Sequence, residues 1–215
     1  MPIKLVIIGG VAGGATAAAR ARRLKEEAEI VLFERGEYIS FANCGLPYYI
    51  GGAIEDRNEL LVTTAEAFTA RYRIDIRTMS EVTAIDRTGK TVTVKDYTTG
   101  KTVTETYDKI ILSPGAAPVI PPLPGIVNDN VFTLRTIPDS DRIKAYIDVA
   151  CPAAAVVVGG GFIGLEMVEN LIERGVKVTL LEKLDQVLPP LDPDMAAIVH
   201  ARLKDSGVQL LLGQG

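Results

Sequence analysis

The sequence predicts an α/β protein of two successive parallel-sheet units, with an antiparallel β-meander inserted in the first and the second unit incomplete. Three observations carry this. Two apolar runs, Ile3–Ile8 and Ala153–Val158, each end in a glycine cluster and lead into a helical pattern, the layout of a buried parallel strand turning into a helix. After each helix a short second strand ends in an acid: Glu34, twenty residues past Gly14, and Glu182, eighteen past Gly164. Within the first unit, strand-like stretches separated by turn residues such as Thr99-Gly100 read as a meander.

In chain order, Gly9–Gly14 follows the first strand, then Ala15–Glu27 as an alanine-rich helix and Glu29–Phe33 as the second strand. Strand, glycine turn, helix, strand and terminal acid within roughly thirty residues form a Rossmann-like dinucleotide unit. Glycines let the backbone approach a pyrophosphate, the helix N-terminus faces its charge, and the acid accepts from ribose hydroxyls. Val11 stands where G-x-G-x-x-G has its second glycine, and a tight turn without a ligand is the alternative reading.

The stretch from Ser40 to Gly52 holds Cys44, the candidate nucleophile. A thiol reacts as thiolate, and a helix start lowers its pKa through unpaired N–H groups. Asn43 suits the cap position at that junction; a small buried hydrophobe is the other reading of Cys44. A short helix at Ala65–Ala70 and a strand at Ile74–Thr78 follow, then meander strands at Glu81–Asp86, Thr91–Lys95 and Val103–Tyr107. Asp108–Leu112 returns as a buried strand into Ser113-Pro114-Gly115.

Pro118, Pro121, Pro122, Pro124 and Gly125 mark a linker. A helix at Asp139–Val149 leads to Cys151, read as structural. Gly159–Gly164 is an intact G-x-G-x-x-G, followed by a helix at Leu165–Glu173, a strand at Lys177–Leu181 and Glu182. A helix at Asp194–Asp205 and a strand at Val208–Leu212 complete one β-α-β-α-β half. A doubly wound domain has a second half, so a fragment of a longer protein is expected. The expected divisions are a first dinucleotide domain over 1–118, a linker and crossover helix over 119–150, and a truncated second domain over 151–215.

Composition narrows the function classes. A net charge of -4 and a pI near 5.2 give no basic footprint, which argues against nucleic acid or anionic membrane as partner. The longest apolar stretch, Ala153–Leu165, is broken by glycines and reads as strand and turn. The chain enters a strand at once from Met1-Pro2, leaving no room for a signal peptide, so a cytoplasmic location is expected. Cys44 and Cys151 lie 107 positions apart without metal-type spacing, so no metal site is expected. His200, the one histidine, lies in the helical pattern Met195–Leu203 and reads as surface or packing.

The whole chain resembles the N-terminal part of an FAD-dependent pyridine nucleotide-disulfide oxidoreductase. Three motifs carry the resemblance: Gly9–Gly14 with Glu34, the run Thr106–Gly115, and Gly159–Gly164 with Glu182. The run Ser40–Tyr48 is similar to the single-cysteine coenzyme A disulfide reductase branch, which includes forms fused to a rhodanese domain. The resemblance implies FAD at Gly9, Ala12, Gly13 and Glu34, with Val82, Ser113, Pro114, Gly115 and Arg135 lining the flavin cleft. It implies NADH or NADPH at Gly161, Ile163, Gly164 and Glu182, with Phe162 as an aromatic cover displaced by nicotinamide. The acid Glu182 favours NADH, although Lys183 stands beside it.

In relatives resembling glutathione reductase a second cysteine lies five positions after the first; here that position is Tyr49. The resemblance therefore implies a mixed disulfide between Cys44 and coenzyme A, with Thr16, Arg20, Arg23, Ser40 and Asn43 along the coenzyme's path. Tyr72 stands at a position often occupied by lysine, flanked by Arg71 and Arg73. The implied activity is NAD(P)H-driven reduction of coenzyme A disulfide, persulfide or polysulfide, in a homodimer of the full-length protein. The alternatives are a water-forming NADH oxidase or NADH peroxidase cycling Cys44 through sulfenic acid, and a nucleotide-binding fragment without turnover.

Overall fold

The computed structural model describes residues 2–214. In chain order the elements are β1 (Lys4–Ile8), α1 (Gly13–Leu24), β2 (Glu29–Phe33), α2 (Leu46–Gly51), α3 (Ala65–Tyr72), β3 (Asp75–Arg77), β4 (Ser80–Asp86), β5 (Thr91–Asp96) and β6 (Thr102–Thr106). There follow β7 (Lys109–Leu112), α4 (Ile137–Ala150), β8 (Ala154–Val158), α5 (Phe162–Glu173), β9 (Lys177–Leu181), α6 (Pro193–Asp205) and β10 (Gln209–Leu211). Short 3-10 turns at Asn43–Gly45 and Arg57–Leu60 flank α2. The chain divides into two compact units, Met1–Ala42 with Leu61–Ala117, and Asn43–Leu60 with Pro118–Gly215. No described helix is long and apolar enough to cross a membrane.

The first unit is built on a parallel sheet of order β3-β2-β1-β7. Its central strands β1 and β2 read as largely apolar runs because both of their faces are covered. Side chains alternate along a strand: Ile7, Ile30 and Leu32 point into a core with Ala15, Ala18, Phe68 and Ile74, while Val6, Val31 and Phe33 pack on Val92, Val94 and Tyr107 of the meander side. Burying a residue such as Phe33 contributes about 1.5–3 kcal/mol. The alanines of α1 let that helix lie close on the sheet, Ala18 being fully buried. The meander β4-β5-β6 is antiparallel, with a bulge between Val82 and Ala84. Glu105 on β6 bridges Lys4 Nζ at 2.6 Å and Arg77 Nη1 at 2.7 Å. Hydrogen bonds from these two cations outweigh the upward push of burial and hold its carboxyl below the ordinary value.

The second unit has the parallel order β10-β9-β8, the same 3-2-1 succession as β3-β2-β1. Its core joins Val178, Leu180, Met167, Val168 and Leu171 with Ile143 and Ile147 of α4 and Ile50 of α2. One expectation changes here. The strand β8 is not buried on both faces: Val156 and Val158 are 65% and 76% exposed, because among the described residues no meander covers the second face of this sheet. Cys151 is exposed and takes the left-handed C-cap position of α4, with φ 43°. His200 accepts the Val187 N–H at 3.1 Å through Nε2, a packing role.

Candidate active site

Each unit carries a glycine turn built the same way. In the first, Gly9 has φ 94° and donates its N–H to Phe33 O at 2.8 Å. A Cβ at Gly9 would collide with the Ser113 carbonyl, and one at Gly14 with the Gly9 carbonyl. At Gly13 it would lie 3.1 Å from Ser113 Oγ. These glycines let β1, α1 and the end of β7 meet. Position 11 is outside the left-handed region, so the backbone accepts Val11 where the motif has glycine. Glu34 accepts the Gly10 and Gly36 N–H groups, both at 2.7 Å.

In the second unit Gly159 has φ 104° and donates to Leu181 O at 2.8 Å, and a Cβ at Gly164 would collide with the Gly159 carbonyl. Glu182 accepts from Gly160 N at 2.6 Å and Leu184 N at 2.8 Å. The bond from Leu184, reinforced by Gly160 and working against burial, holds its carboxyl below the ordinary carboxylate range. Gly160 packs on Val187 as Gly10 packs on Ile39. The Leu188 N–H returns to Gly160 O at 2.8 Å as Ser40 N–H returns to Gly10 O at 3.1 Å. Sequence reading found Glu34 and Glu182 but not their backbone donors, which carry no side-chain signal.

The helices leaving these turns are uncapped. The starts of α1 and α5, at Ala12 and Gly161, have no side-chain cap and no acid in the first turn. By contrast, α3 is capped by Thr64, and α4 by Thr136 in a capping box with Asp139. Unpaired N–H groups and the positive dipole end suit an anion. A side chain at Gly161 would meet only open space. Uncapped donors, close glycine backbone and a carboxylate at the end of the second strand fit a dinucleotide in each unit. Phe162 and Ile163, at the head of α5, are 68% and 52% exposed.

The remaining expected residues fall in different settings. Ser113 stands at the first glycine turn, with Pro114 and the left-handed Gly115 exposed after it. Val82 lies at the β4 bulge, packed on the core of Val6, Val31 and Phe33. Arg135 donates its backbone N–H to Asp139 Oδ2 at 3.2 Å before α4. Thr16, Arg20 and Arg23 form one exposed row on α1. The guanidinium groups of Arg23 and Arg71 lie 5.8 and 5.3 Å from the Tyr72 ring centroid, and Tyr72 stacks on Phe68 at 4.7 Å. Arg73 instead pairs with Glu26 at 2.6 Å. Ser40 takes a left-handed conformation, φ 46°.

Cys44 lies in the 3-10 turn Asn43–Gly45 and is exposed, which sets aside its reading as a buried hydrophobe. The cap expected at Asn43 is corrected. Gly45, with φ -81° and ψ -18°, is the N-cap of α2, because the 3-10 turn carries the helix start past Cys44. Asn43 Oδ1 is buried without a partner. The helix α2 is wedged into the second unit. Ile50 is fully buried, and Gly51 leaves room for no side chain beside Asn170. Arg174 Nη1 donates to Ile50 O at 3.2 Å. Tyr49 is 8% exposed, with Lys144 Nζ 5.5 Å from its ring centroid. Burial first, then the Asp141 carboxylate, raises its phenol above the ordinary value. No group of His, Cys, Asp and Glu suited to a metal occurs among the described residues.

Residues 3–215 match a family described as pyridine nucleotide-disulphide oxidoreductase. A coenzyme A disulfide reductase of Staphylococcus haemolyticus is 40% identical over 98% of this chain and 47% of its own length. The reduced Bacillus anthracis CoADR-RHD structure superposes with a TM-score of 0.96 at 57% identity, over 99% of this chain and 38% of that one. An NAD-dependent persulfide reductase from A. fulgidus gives 0.93 at 36% identity, over 98% and 40%. The chain thus spans about half the length of the curated relative and less of these two structures.

Proposed function

The chain belongs to the pyridine nucleotide-disulphide oxidoreductase family, and on that premise we propose that the whole protein is a flavin-dependent NAD(P)H:disulfide reductase whose redox thiol is Cys44. One observation supports this above all. Cys44 is an exposed thiol at the head of a docked helix, and the residue five positions on is the buried Tyr49 instead of a second cysteine. A thiol without an internal partner exchanges with an external one. The substrate class is coenzyme A disulfide, or the corresponding persulfide or polysulfide.

The residues proposed to hold FAD are Gly9, Ala12, Gly13, Glu34, Val82, Ser113, Pro114, Gly115 and Arg135. When bound, FAD supplies two-electron chemistry that links a nicotinamide to a disulfide. The N–H groups at the start of α1 take pyrophosphate charge. Glu34 accepts ribose hydroxyls on the lone pairs that Gly10 and Gly36 leave over. Gly161, Ile163, Gly164 and Glu182 do the same for the nicotinamide dinucleotide, with Phe162 as the aromatic that yields to its ring. An anionic Glu182 favours the free 2′-hydroxyl of NADH over the phosphate of NADPH.

The Cys44 thiolate attacks one sulfur of coenzyme A disulfide. A Cys44–coenzyme A bond forms as the original S–S bond breaks, and the leaving thiolate takes a proton from solvent. Two electrons and a proton, drawn from NAD(P)H, then cleave this mixed disulfide to Cys44 thiolate and a second coenzyme A thiol. Thr16, Arg20 and Arg23, with Ser40 and Asn43, are the proposed contacts of the coenzyme, and the whole protein is proposed to be a homodimer. Cys44→Ser in the full-length protein is expected to lose disulfide reduction while keeping bound flavin and NAD(P)H:ferricyanide activity. Undiminished disulfide turnover in that variant would overturn the reading. Rapid NADH consumption by the unaltered protein with oxygen as sole acceptor would replace it with an oxidase.

A further inference from the structure

The residue that replaces the second thiol is part of a polar clamp within the second unit. A helix of six residues is too short to hold its place by its own hydrogen bonds, so the position of α2, and of the Cys44 turn leading into it, is set by what α2 packs against. Ile50 supplies the apolar anchor. The polar one converges on a single carboxylate, Asp141 in the second turn of α4. Arg57, on the 3-10 turn after α2, grips it with Nε at 2.9 Å from each oxygen and Nη2 at 2.7 Å from Oδ2. Tyr49, the fourth residue of α2, is buried within electrostatic reach of the same carboxylate, and Lys144, one turn further along α4, stands over its ring. Asp141 therefore receives groups from both sides of the loop that leaves α2. Its pair with Arg57 is partly shielded, at 33% and 32% side-chain exposure, and the bidentate fork fixes direction as well as distance.

We propose that Asp141 is a positioning residue for the Cys44 thiol: acting through Tyr49 and Arg57, it holds the α2 segment in the one orientation from which Cys44 can exchange with a disulfide. The proposal rests on the reading of Cys44 as the redox thiol. A packed helix has no continuous range of positions, and displacement of a reacting atom by about 1 Å can cost on the order of a hundredfold in rate. Loss of Asp141 removes a shared partner of Arg57 and Tyr49 at once. Loss of the Tyr49 hydroxyl alone leaves the Arg57 grip and the ring packing in place. The effects of the two changes therefore rank, and they are not independent, because both act through one carboxylate.

The test uses the full-length flavin-loaded protein. Asp141→Asn, Tyr49→Phe, Asp141→Glu and the double variant of the first two are assayed for NAD(P)H-dependent reduction of coenzyme A disulfide. Each is also assayed for NAD(P)H:ferricyanide activity, which bypasses the thiol. Asp141→Asn is expected to lower disulfide kcat about tenfold or more and to slow alkylation of Cys44 by iodoacetamide, with ferricyanide activity within about twofold of the parent. Tyr49→Phe moves in the same direction by less, the double variant falls short of the product of the two, and Asp141→Glu recovers part of the loss. Disulfide kcat within about twofold of the parent in Asp141→Asn would overturn the proposal, as would parallel loss of both activities. Should Asp141→Asn fail to accumulate, Tyr49→Phe decides on the same two readouts. Cys44→Ser, run alongside, separates the two failures. If it keeps disulfide turnover, the thiol assignment falls; if it loses turnover while Asp141→Asn keeps it, only the clamp falls.

Discussion

Replacing Glu182 with glutamine tests the construction of the second glycine turn. The carboxylate is buried and receives two backbone donors, Gly160 N–H at 2.6 Å and Leu184 N–H at 2.8 Å. A glutamine of the same shape offers one acceptor oxygen, and its amide NH2 must face the other donor. One buried N–H then loses its partner, at a cost of about 1–3 kcal/mol, and the surviving bond loses its charge assistance, about 1 kcal/mol more. The expected loss is about 2–4 kcal/mol, read as the shift in a urea unfolding midpoint at pH 7 followed by circular dichroism. Because folding holds this carboxyl below its ordinary value, the contribution is complete above the unfolded carboxyl pKa of about 4.3 and is lost as pH falls through the lower folded value. The gap between parent and variant should therefore stay constant from neutral pH down to about pH 5 and close only below the unfolded value. A gap under about 0.5 kcal/mol at pH 7, or one that widens on acidification, would refute the bonding argument. NADH affinity should weaken more than NADPH affinity in the same variant, read by titration of each nucleotide.

Three further outcomes follow from the same geometry. Gly14→Ala and Gly164→Ala drive a methyl into the carbonyls of Gly9 and Gly159 and should each cost at least about 1–3 kcal/mol, with bound flavin lost in the first and nucleotide affinity in the second, read by melting temperature and by flavin content or titration. Glu105→Gln removes the charge that Lys4 and Arg77 share, although Glu29 and Asp75 still serve those cations; a loss of about 1–2 kcal/mol is expected in urea unfolding. That contribution is full above the unfolded carboxyl pKa and vanishes as pH falls through the depressed folded value, so parent and variant should converge in acid.

The strands and crossovers of both units were legible because their signals are local. Ile3–Ile8 is apolar throughout since Val6 faces the meander side and Ile7 the helix side, and the glycines that end the strand are required by a positive φ at Gly9 and a close approach at Gly14. The same local pattern misled at β8, where Val156 and Val158 are apolar yet exposed; a run of valines does not say which faces are covered. Asn43 was legible as a good cap residue, but the 3-10 turn that moves the helix start to Gly45 depends on packing of α2 and has no composition signal. The exposure of Cys44, the partners of Tyr49 and the backbone donors to Glu34 and Glu182 are all non-local, with Tyr49 and Asp141 ninety-two positions apart.

The central claim, a single redox thiol that exchanges with coenzyme A, is tested most directly by the intact mass of the full-length protein purified without reductant, before and after dithiothreitol. Loss of one coenzyme A on reduction, with the adduct mapping to the peptide containing Cys44, is the predicted result. An unmodified Cys44, or one carrying only oxygen, would contradict it.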